Sequence, residues 1–287
     1  MTRVHSTEDI EKNIPHRLPM RFIEKVTEDG NKVTGSLREI FQNDPIFKHQ
    51  DRNLSYLEGI EACAQTAAIR VLKDTQNQAI VFKTIEDLNI NRDGVLILSN
   101  AKFEANIVEE EGYAYIKAFD ESKTYFEGKI FCALMDKDRF KKLLGIVSRK
   151  APHKKDEPIM DIFPVIGGSY NDVVLCEYNH CNSVSTLLRL TDGYPIVNGH
   201  FPDYSVMPAI FVIFGADKSI RMTFGAEKLV GIEYFEFVAP IIPPSRIDYS
   251  IKYDINGKFS VEVKSNDMLA AKGILRYDYD LITKGRG

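Results

Sequence analysis

Two residues of this 287-residue chain, Glu61 and His200, combine a titratable side chain with surroundings that suit proton transfer. Glu61 falls on a stripe of apolar residues spaced three or four apart, which predicts the buried face of a helix over 55–72. Burial disfavours the charged carboxylate, so we expect a raised pKa and a protonated acid at neutral pH. The pattern equally fits a helix residue that reaches solvent or a partner. The stripe consists of Leu57, Ile60, Ala64, Ala68 and Val71.

His200 lies in the loop Asn198–Pro202, which reads NGHFP and precedes a strongly apolar segment. Pro208 marks the start of the helix predicted there, because proline suits a first helical turn. Pro202 and Pro208 restrict the backbone on either side. A histidine held in this way titrates near neutrality and can take a proton from carbon. A single loop histidine is also a common structural or exposed residue, so its position alone leaves both interpretations open.

The elements that would position these residues occur twice along the chain. Each half has short strands near a proline, then a polar loop, one apolar helix and several further strands, separated by turns such as Asn256–Gly257. One helix among many strands predicts an α+β fold with an antiparallel sheet around a buried helix. We predict domains over 1–140 and 159–287, joined by a charged linker over 141–158. A short helix is expected at the start of the charged segment 136–157.

Several motifs resemble the bacterial 3-hydroxyacyl-acyl-carrier-protein dehydratases. Residues 199–210 read GHFPDYSVMPAI, similar to that family's GHFPGxPVMPGV, and residues 59–65 read GIEACAQ, similar to its helix motif xIEAMAQ. Residues 14–19, IPHRLP, resemble the family's LPHRxPF, and the segment from Leu229 resembles its VGIxxxxFxxPVxPGDxL strands. The matches touch most of both halves, and GHFP with VMP at this distance is the more specific signal.

The resemblance implies a hotdog fold, a curved antiparallel sheet around a central helix. Two hotdogs pair, and each site takes its histidine from one and its acid from the other. In the family the acid follows the histidine by fourteen residues. Here that spacing places Phe214 after His200, and Phe47 before Glu61. The losses are complementary, so the fused halves are expected to form a double hotdog with one complete site, His200 with Glu61. The other site would be inactive.

By the same resemblance, His200 would take the proton from C2 of a 3-hydroxyacyl thioester and Glu61 would protonate the departing hydroxyl. With Ser55 as the cap residue of its helix, the amide of Tyr56 is the candidate donor to the thioester oxygen, and Ala209 holds the equivalent place in the second half. Gln65 would position the acid or be an ordinary helix residue. The remaining residues predicted to contact substrate are Gly199, Phe201, Met207 and Pro208.

Composition narrows the remaining possibilities. The net charge of -4 argues against nucleic-acid binding, and no stretch has the roughly 20 apolar residues of a membrane helix. No signal peptide or disulfide pattern is visible, so a cytoplasmic location is expected. His180–Cys181 is weak evidence for a metal, and no nucleotide-binding spacing occurs, so we expect neither a cofactor nor a metal. The basic residues of the linker could dock an acidic carrier protein, although a plain charged connector fits as well.

The predicted partner is an acyl carrier protein bearing a 3-hydroxyacyl phosphopantetheine thioester, or an acyl-CoA, in fatty acid, polyene or polyketide synthesis. The intrachain pseudo-dimer could remain alone or associate further. Two other functions stay open: a hotdog acyl-thioesterase, and a degenerate carrier-binding subunit without turnover. The histidine of the GHFP motif argues against the thioesterase, whereas the altered first-half loop and Phe214 motivate the degenerate subunit.

Overall fold

The computed structural model of the protein describes residues 2–38, 52–72, 77–91, 101–149, 177–179, 183–190, 199–201, 205–254 and 256–278. Within these ranges a single sheet of 13 strands, antiparallel at every pairing, runs through both halves of the chain. The short helix predicted at the start of the charged segment is present at Lys137–Arg149, whereas the rest of that segment, after Arg149, and the loop before Arg52 lie outside the described residues. Pro202, His180, Cys181 and the loop around Phe47 are among the residues that the structure does not describe.

The first half begins with a short strand and helix, β1 (Arg3–His5) and α1 (Thr7–Asn13), and continues with β2 (Ile23–Asp29) and β3 (Lys32–Leu37). Its long helix is α2 (Arg52–Leu72). The strands β4 (Gln78–Ile90), β5 (Lys102–Val108), β6 (Tyr113–Phe119) and β7 (Thr124–Asp136) follow, and α3 (Lys137–Arg149) ends the half.

The second half repeats this order. The strands β8 (Glu177–Asn179) and β9 (Ser183–Leu190) precede the helix α4 (Ala209–Phe224). The strands after it are β10 (Leu229–Phe237), β11 (Ser245–Tyr253), β12 (Lys258–Ser265) and β13 (Met268–Tyr277).

Strand order reveals the repeat. From the middle outwards the first half reads β4, β7, β6, β5, β3, β2, and the second half reads β10, β13, β12, β11, β9, β8. In each half the first strand after the long helix is therefore central, and the last strand lies beside it. The two central strands pair with each other, with Ile85 opposite Phe235 and Leu88 opposite Ile232. This pairing joins the halves into one continuous sheet.

The sheet encloses the two long helices, which pack against each other and share one hydrophobic core. Helix α4 is buried along almost its whole length, as expected for a helix that is apolar nearly all round. Helix α2 is buried from Tyr56 to Ile69, so Glu61 lies inside the protein. This is the double-hotdog pseudo-dimer that the sequence predicts, with the sheets of its two halves joined into one.

Individual elements follow their predicted segments with two informative differences. Strands β9 and β12 coincide with predicted segments, and Asn256 and Gly257 adopt the positive φ angles of 51° and 73° that suit a tight hairpin turn. Helix α2 begins at Arg52, three residues before the predicted cap Ser55. The central strand β4 is not anticipated from the sequence. The predicted domain boundaries remain a prediction, and the first boundary falls within α3.

Candidate active site

Helix α2 carries the acid. Glu61 and Gln65 lie one turn apart on its buried side. Gln65 Nε2 donates to Glu61 Oε1 at 3.1 Å and to the carbonyl of Met20 at 2.8 Å, and Gln65 Oε1 accepts from the amide of Phe22 at 2.9 Å. Gln65 therefore fixes the carboxylate, which is the positioning role considered for it, and also ties the segment 14–22 to the helix.

The segment 14–22 brings a second histidine, His16, to the carboxylate. Helix α1 precedes it and is held by a capping box between Ser6 and Asp9. The guanidinium of Arg17 folds back on the end of α1 and donates to the carbonyl oxygens of Glu11, Ile14 and His16 at 2.9–3.0 Å. These bonds satisfy carbonyl groups that the end of a helix leaves unpaired, and they fix the backbone on both sides of His16.

His200 is held by the backbone of its own half. Its Nδ1 lies 3.1 Å from the carbonyl oxygen of Val206. A carbonyl only accepts, so Nδ1 carries the proton of this bond and the lone pair of the neutral ring is on Nε2. The carbonyl of the preceding Gly199 accepts from the amide of Arg17 at 2.8 Å. The loop of the second half is thus bonded directly to the segment that carries His16.

Together these elements place one carboxylate and two imidazoles in a common site. His16 Nε2 lies 3.2 Å from Glu61 Oε1, and the rings of His16 and His200 have centroids 5.0 Å apart. One donor atom from each of the three side chains lies within 4.8 Å of the other two. All three line a cavity of about 280 Å³, whose walls are otherwise largely apolar and come from both halves of the chain.

The pKa of Glu61 is shifted in the direction opposite to the prediction. Burial is the largest single influence and raises it, as expected, but the interaction with His16 and the smaller contributions of His200 and Gln65 together outweigh burial. The pKa of the carboxyl therefore lies below its usual value, and Glu61 is a carboxylate in the resting site. The prediction of a protonated acid is wrong because it treated Glu61 as isolated among apolar residues.

Burial and, to a lesser extent, the neighbouring His16 lower the pKa of His200 to about 3, against smaller opposing effects of Glu61 and the Val206 carbonyl. The imidazole of His200 is accordingly neutral at physiological pH. A neutral ring with its proton fixed on Nδ1 offers the lone pair that a general base requires.

Tyr56 is not the oxyanion donor that the sequence suggests. Because α2 begins at Arg52, the amide of Tyr56 is the fifth in the helix and falls within the intrahelical bonding pattern. Its side chain is buried in the core rather than in the cavity wall. Ala209, by contrast, is the first residue of α4 and lines the cavity, where the amides of a first turn lack intrahelical acceptors. We therefore expect the amide of Ala209, rather than that of Tyr56, to donate to the thioester oxygen.

The other predicted contact residues divide into two groups. Phe201 and Met207 line the cavity beside His200, with the rings of Phe201 and His200 in an edge-on arrangement. Gly199 and Pro208 do not line it. Pro208 is a buried residue at the N-cap of α4, where it supports the position of Ala209.

Gly199 acts in packing, since a Cβ atom there would lie 2.9 Å from Cδ of Pro19 and 3.1 Å from the carbonyl oxygen of Arg17. These are rigid ring and backbone atoms, so the His200 loop would have to move. We expect Gly199→Ala to lower kcat by about 10²-fold, the typical cost of a 1 Å displacement. Steady-state kinetics measures this, with circular dichroism to verify folding. Unchanged kcat would show that the loop tolerates the displacement.

The position equivalent to the acid in the second half is occupied by Phe214, which is fully buried and packs against Phe211. Asp217, one turn further, accepts hydrogen bonds from Tyr277 and Arg221 and is also fully buried. Its carboxylate is thus committed to a structural contact. The first-half loop that would complete this second site lies outside the described residues.

His16 is the functional candidate that residue-by-residue reasoning missed. The IPHRLP motif contained it, but only as part of a resemblance, and no spacing relates residue 16 to residue 61 or 200. The structure also adds Phe140 and Leu143 of α3, which line the cavity. Within the described part of the chain, no helix is long and apolar enough to cross a membrane.

Fold and site together define a double hotdog with a histidine–carboxylate site between its halves. A family model described as an ApeI-like dehydratase matches residues 177–274. The FabZ 3-hydroxyacyl-[acyl-carrier-protein] dehydratase of Ruminiclostridium cellulolyticum is 30% identical over 139 residues, 45% of this chain and 96% of that protein. The chain belongs to this dehydratase family.

Other curated relatives match over a shorter length. The FabZ of Macrococcus caseolyticus is 34% identical over 83 residues, which cover 27% of this chain and 57% of that protein. The chain likewise spans little more than half of the length of other curated FabZ relatives that it matches. The family is therefore clear, while the activity of the whole protein is a separate question.

Solved structures of two kinds of enzyme match over most of the chain. The dehydratase domain of RzxB from Pseudomonas fluorescens aligns with a TM-score of 0.51 at 10% identity, covering 92% of this chain and 98% of that one. The 12:0-ACP thioesterase from Umbellularia californica also gives 0.51, at 8% identity, covering 86% and 96%. These likenesses confirm the double-hotdog fold. Because both kinds of enzyme share it, the fold alone does not distinguish dehydration from hydrolysis.

Proposed function

We propose that the protein dehydrates a 3-hydroxyacyl thioester to the trans-2-enoyl thioester in fatty acid or polyketide synthesis. The observation that carries the proposal is the convergence of His200, from one half, with Glu61, from the other, in a mostly apolar cavity. A neutral imidazole and a carboxyl group whose donor atoms lie within 4.8 Å of each other can act as the base and the acid that removal of water requires. Family membership supports the same chemistry.

In this reaction Nε2 of His200 takes a proton from C2, and the C3–O bond breaks as the hydroxyl leaves as water. Charge gathers on the thioester oxygen during proton removal. Ala209, at the start of α4, lines the cavity, and its amide is the donor that we assign to that oxygen. The apolar walls strengthen these polar interactions by excluding water.

In this proposal His16 is the source of the proton that the leaving hydroxyl needs. Since Glu61 rests as a carboxylate, it must acquire a proton before or while it acts, and His16 Nε2 at 3.2 Å is the adjacent nitrogen. The proton would pass from His16 through Glu61 to the hydroxyl. After release of the enoyl product and water, His200 holds the proton taken from C2. The donor atoms of the three side chains lie within 4.8 Å of one another, a separation that one bridging water can span to return this proton to the His16–Glu61 pair.

Turnover of purified protein with two substrates tests the proposal. A 3-hydroxyacyl thioester should yield water and the enoyl thioester, followed by mass spectrometry, without free thiol. A saturated acyl thioester should remain intact. Release of thiol from either substrate would instead support a thioesterase. Binding of the acyl carrier without any turnover would support a degenerate partner subunit.

The pH dependence of kcat/KM should reflect the lowered pKa of His200. A histidine whose pKa falls to about 3 stays neutral, and therefore basic, down to that pH. We expect the acid limb of the profile to lie well below the value near 6.5 that an ordinary histidine gives. Circular dichroism at each pH would separate titration from acid unfolding. An acid limb near 6.5 in folded protein would contradict this prediction.

A polar groove beside the cavity suits the arm of the thioester. It has a volume of about 290 Å³ and shares Phe201 with the catalytic cavity. Lys12 and Lys137 stand in its wall, and Lys137 is the first residue of α3. We infer that the groove takes the phosphopantetheine arm, with its phosphate near these lysines and its thioester beyond Phe201.

Helix α3 gives the same entrance a basic surface. Phe140 and Leu144 on one side of α3 are buried, and Leu143 lines the cavity, whereas Arg139 and Lys142 are exposed. This arrangement fits an acidic carrier protein resting on α3 while its arm enters the groove, since charge complementarity steers such encounters. Carrier docking, considered above for the basic residues of the charged segment, is thereby proposed for α3.

Charge-reversal variants should distinguish the groove that takes the arm from the α3 surface that contacts the carrier protein. We expect Lys12→Glu to raise KM about tenfold for both acyl-CoA and carrier-bound substrates, and Arg139→Glu to do so only for the carrier-bound one. In both variants kcat should be unchanged, because neither residue is among the reacting groups. Lys252→Glu, an exposed lysine on β11, is the matched control. An equal effect of Lys252→Glu would indicate a general charge effect and contradict the assignment.

A further inference from the structure

We propose that His16, Glu61 and His200 form a binding site for a zinc-class divalent ion, and that the ion reversibly inhibits the enzyme. Within the described residues these three side chains are the one group of potential ligands that lie close enough to hold a metal. Two imidazoles and one carboxylate, with an open position for water or substrate, match the donor set of three-ligand zinc sites.

The distances fit such an ion after small movements. Three donors within 4.8 Å of one another share a point that lies at most about 2.8 Å from each, and zinc requires about 2.0–2.2 Å. His16 Nε2 and Glu61 Oε1, 3.2 Å apart, already have the separation of two ligands on a tetrahedral ion. Rotation of side chains by less than about 1 Å at the donor atoms would complete the site.

The surroundings orient the donors as they do in metal sites. Metal-binding histidines usually donate their second ring N–H to a backbone carbonyl or carboxylate. His200 makes this bond from Nδ1 to the carbonyl of Val206, which leaves Nε2 as the ligand atom. Gln65 fixes Glu61 in the same manner. These bonds exist without any ion, so the site would need little reorganisation to bind one.

His16 supplies the independent observation. The residue is 5% exposed, and neither ring nitrogen makes a well-directed hydrogen bond within the described residues, although Nε2 lies within ion-pair distance of Glu61. A buried polar group normally makes a directed hydrogen bond, whereas Nε2 of His16 has only the ion-pair contact. A bound ion would give this nitrogen a directed bond. It would also occupy Nε2 of His200, the atom that the proposed dehydration uses as base.

The chain offers a matched control in a second buried histidine–glutamate pair, outside the site. His5 Nε2 lies 3.1 Å from Glu28 Oε2, so this pair has the same chemistry and spacing as His16 and Glu61. The carboxylate of Glu28 also contacts Arg70, and no third ligand completes a group there among the described residues. His5→Gln therefore removes a histidine–glutamate pair without touching the proposed site.

Titration calorimetry of the purified, chelator-treated protein with ZnCl₂ tests binding directly. We expect one ion per chain with a Kd below about 10 µM. His16→Gln should weaken it at least about 100-fold, since even outer-shell changes cost 10–100-fold, and His5→Gln should leave it unchanged. Co²⁺ should give a visible ligand-field spectrum in the wild type and in His5→Gln, but not in His16→Gln.

The binding result stands apart from the proposed function, whereas inhibition rests on it. If dehydration occurs, equimolar Zn²⁺ should abolish turnover and a chelator should restore it. No binding, or equal binding by wild type and a folded His16→Gln variant, would overturn the site. Should His16→Gln fail to fold, Glu61→Gln replaces it in the same comparison. Zinc binding with no dehydration at all would refute the proposed function and leave the metal site intact.

Discussion

Glu61→Gln and His200→Ala are each expected to lower kcat for dehydration at least about 10³-fold, within the range for loss of a general acid or base. Glutamine keeps the size of Glu61 and a hydrogen bond with Gln65 but cannot pass a proton. Alanine removes the imidazole of His200, whose lone pair is left on Nε2 by the bond from Nδ1 to the Val206 carbonyl. Steady-state kinetics with a 3-hydroxyacyl thioester measures both.

Two comparisons separate this chemical loss from structural damage. His5→Gln, which changes a buried histidine outside the site, should retain full kcat. Combining Glu61→Gln with His200→Ala should cost little more than either single change, because groups that act in one step are not additive. Residual dehydration within about tenfold of wild type in either single variant would exclude the assigned roles.

The parts of the structure that the sequence anticipates are those set by strong local patterns. The apolar period of α2 and α4, the alternation in β12 and the Asn256–Gly257 turn all lead to elements that the structure contains. The pairing of His200 with Glu61 came from complementary losses in two copies of a motif. That inference requires only that the halves pair as a dimer would, and the pairing of β4 with β10 shows that they do.

What the sequence misses depends on contacts between distant segments. Strand β4 lacks a clean alternation because its pairing with β7 shifts register between Phe82 and Thr84 and again between Glu86 and Asn89. Asp87, within the second shift, has a positive φ of 50°. The direction of the Glu61 pKa was missed for a related reason. It depends on His16, forty-five residues away in sequence, which only the folded chain brings to the carboxylate.

His16→Gln is expected to lower kcat about 10²-fold with little change in KM, because glutamine can still donate to Glu61 but cannot supply the proton that the carboxylate lacks. The central measurement is a double-mutant cycle with Glu61→Gln. If His16 acts through Glu61, the double variant should be no slower than Glu61→Gln alone. A His16 with only a packing role would instead reduce the rate by the same factor in both backgrounds.

The pKa of Glu61 gives a second, independent readout of the same variant. Loss of His16 removes the largest of the influences that lower this pKa, while burial, which raises it, remains. The pKa of Glu61 should therefore rise in His16→Gln, and infrared difference spectra of the carboxyl stretch at a series of pH values measure it, with Glu61→Gln identifying the band. A pKa that stays in place would show that His16 does not control the proton on Glu61. The resting charge of the acid would then be set by its other contacts, among them the bond from Gln65.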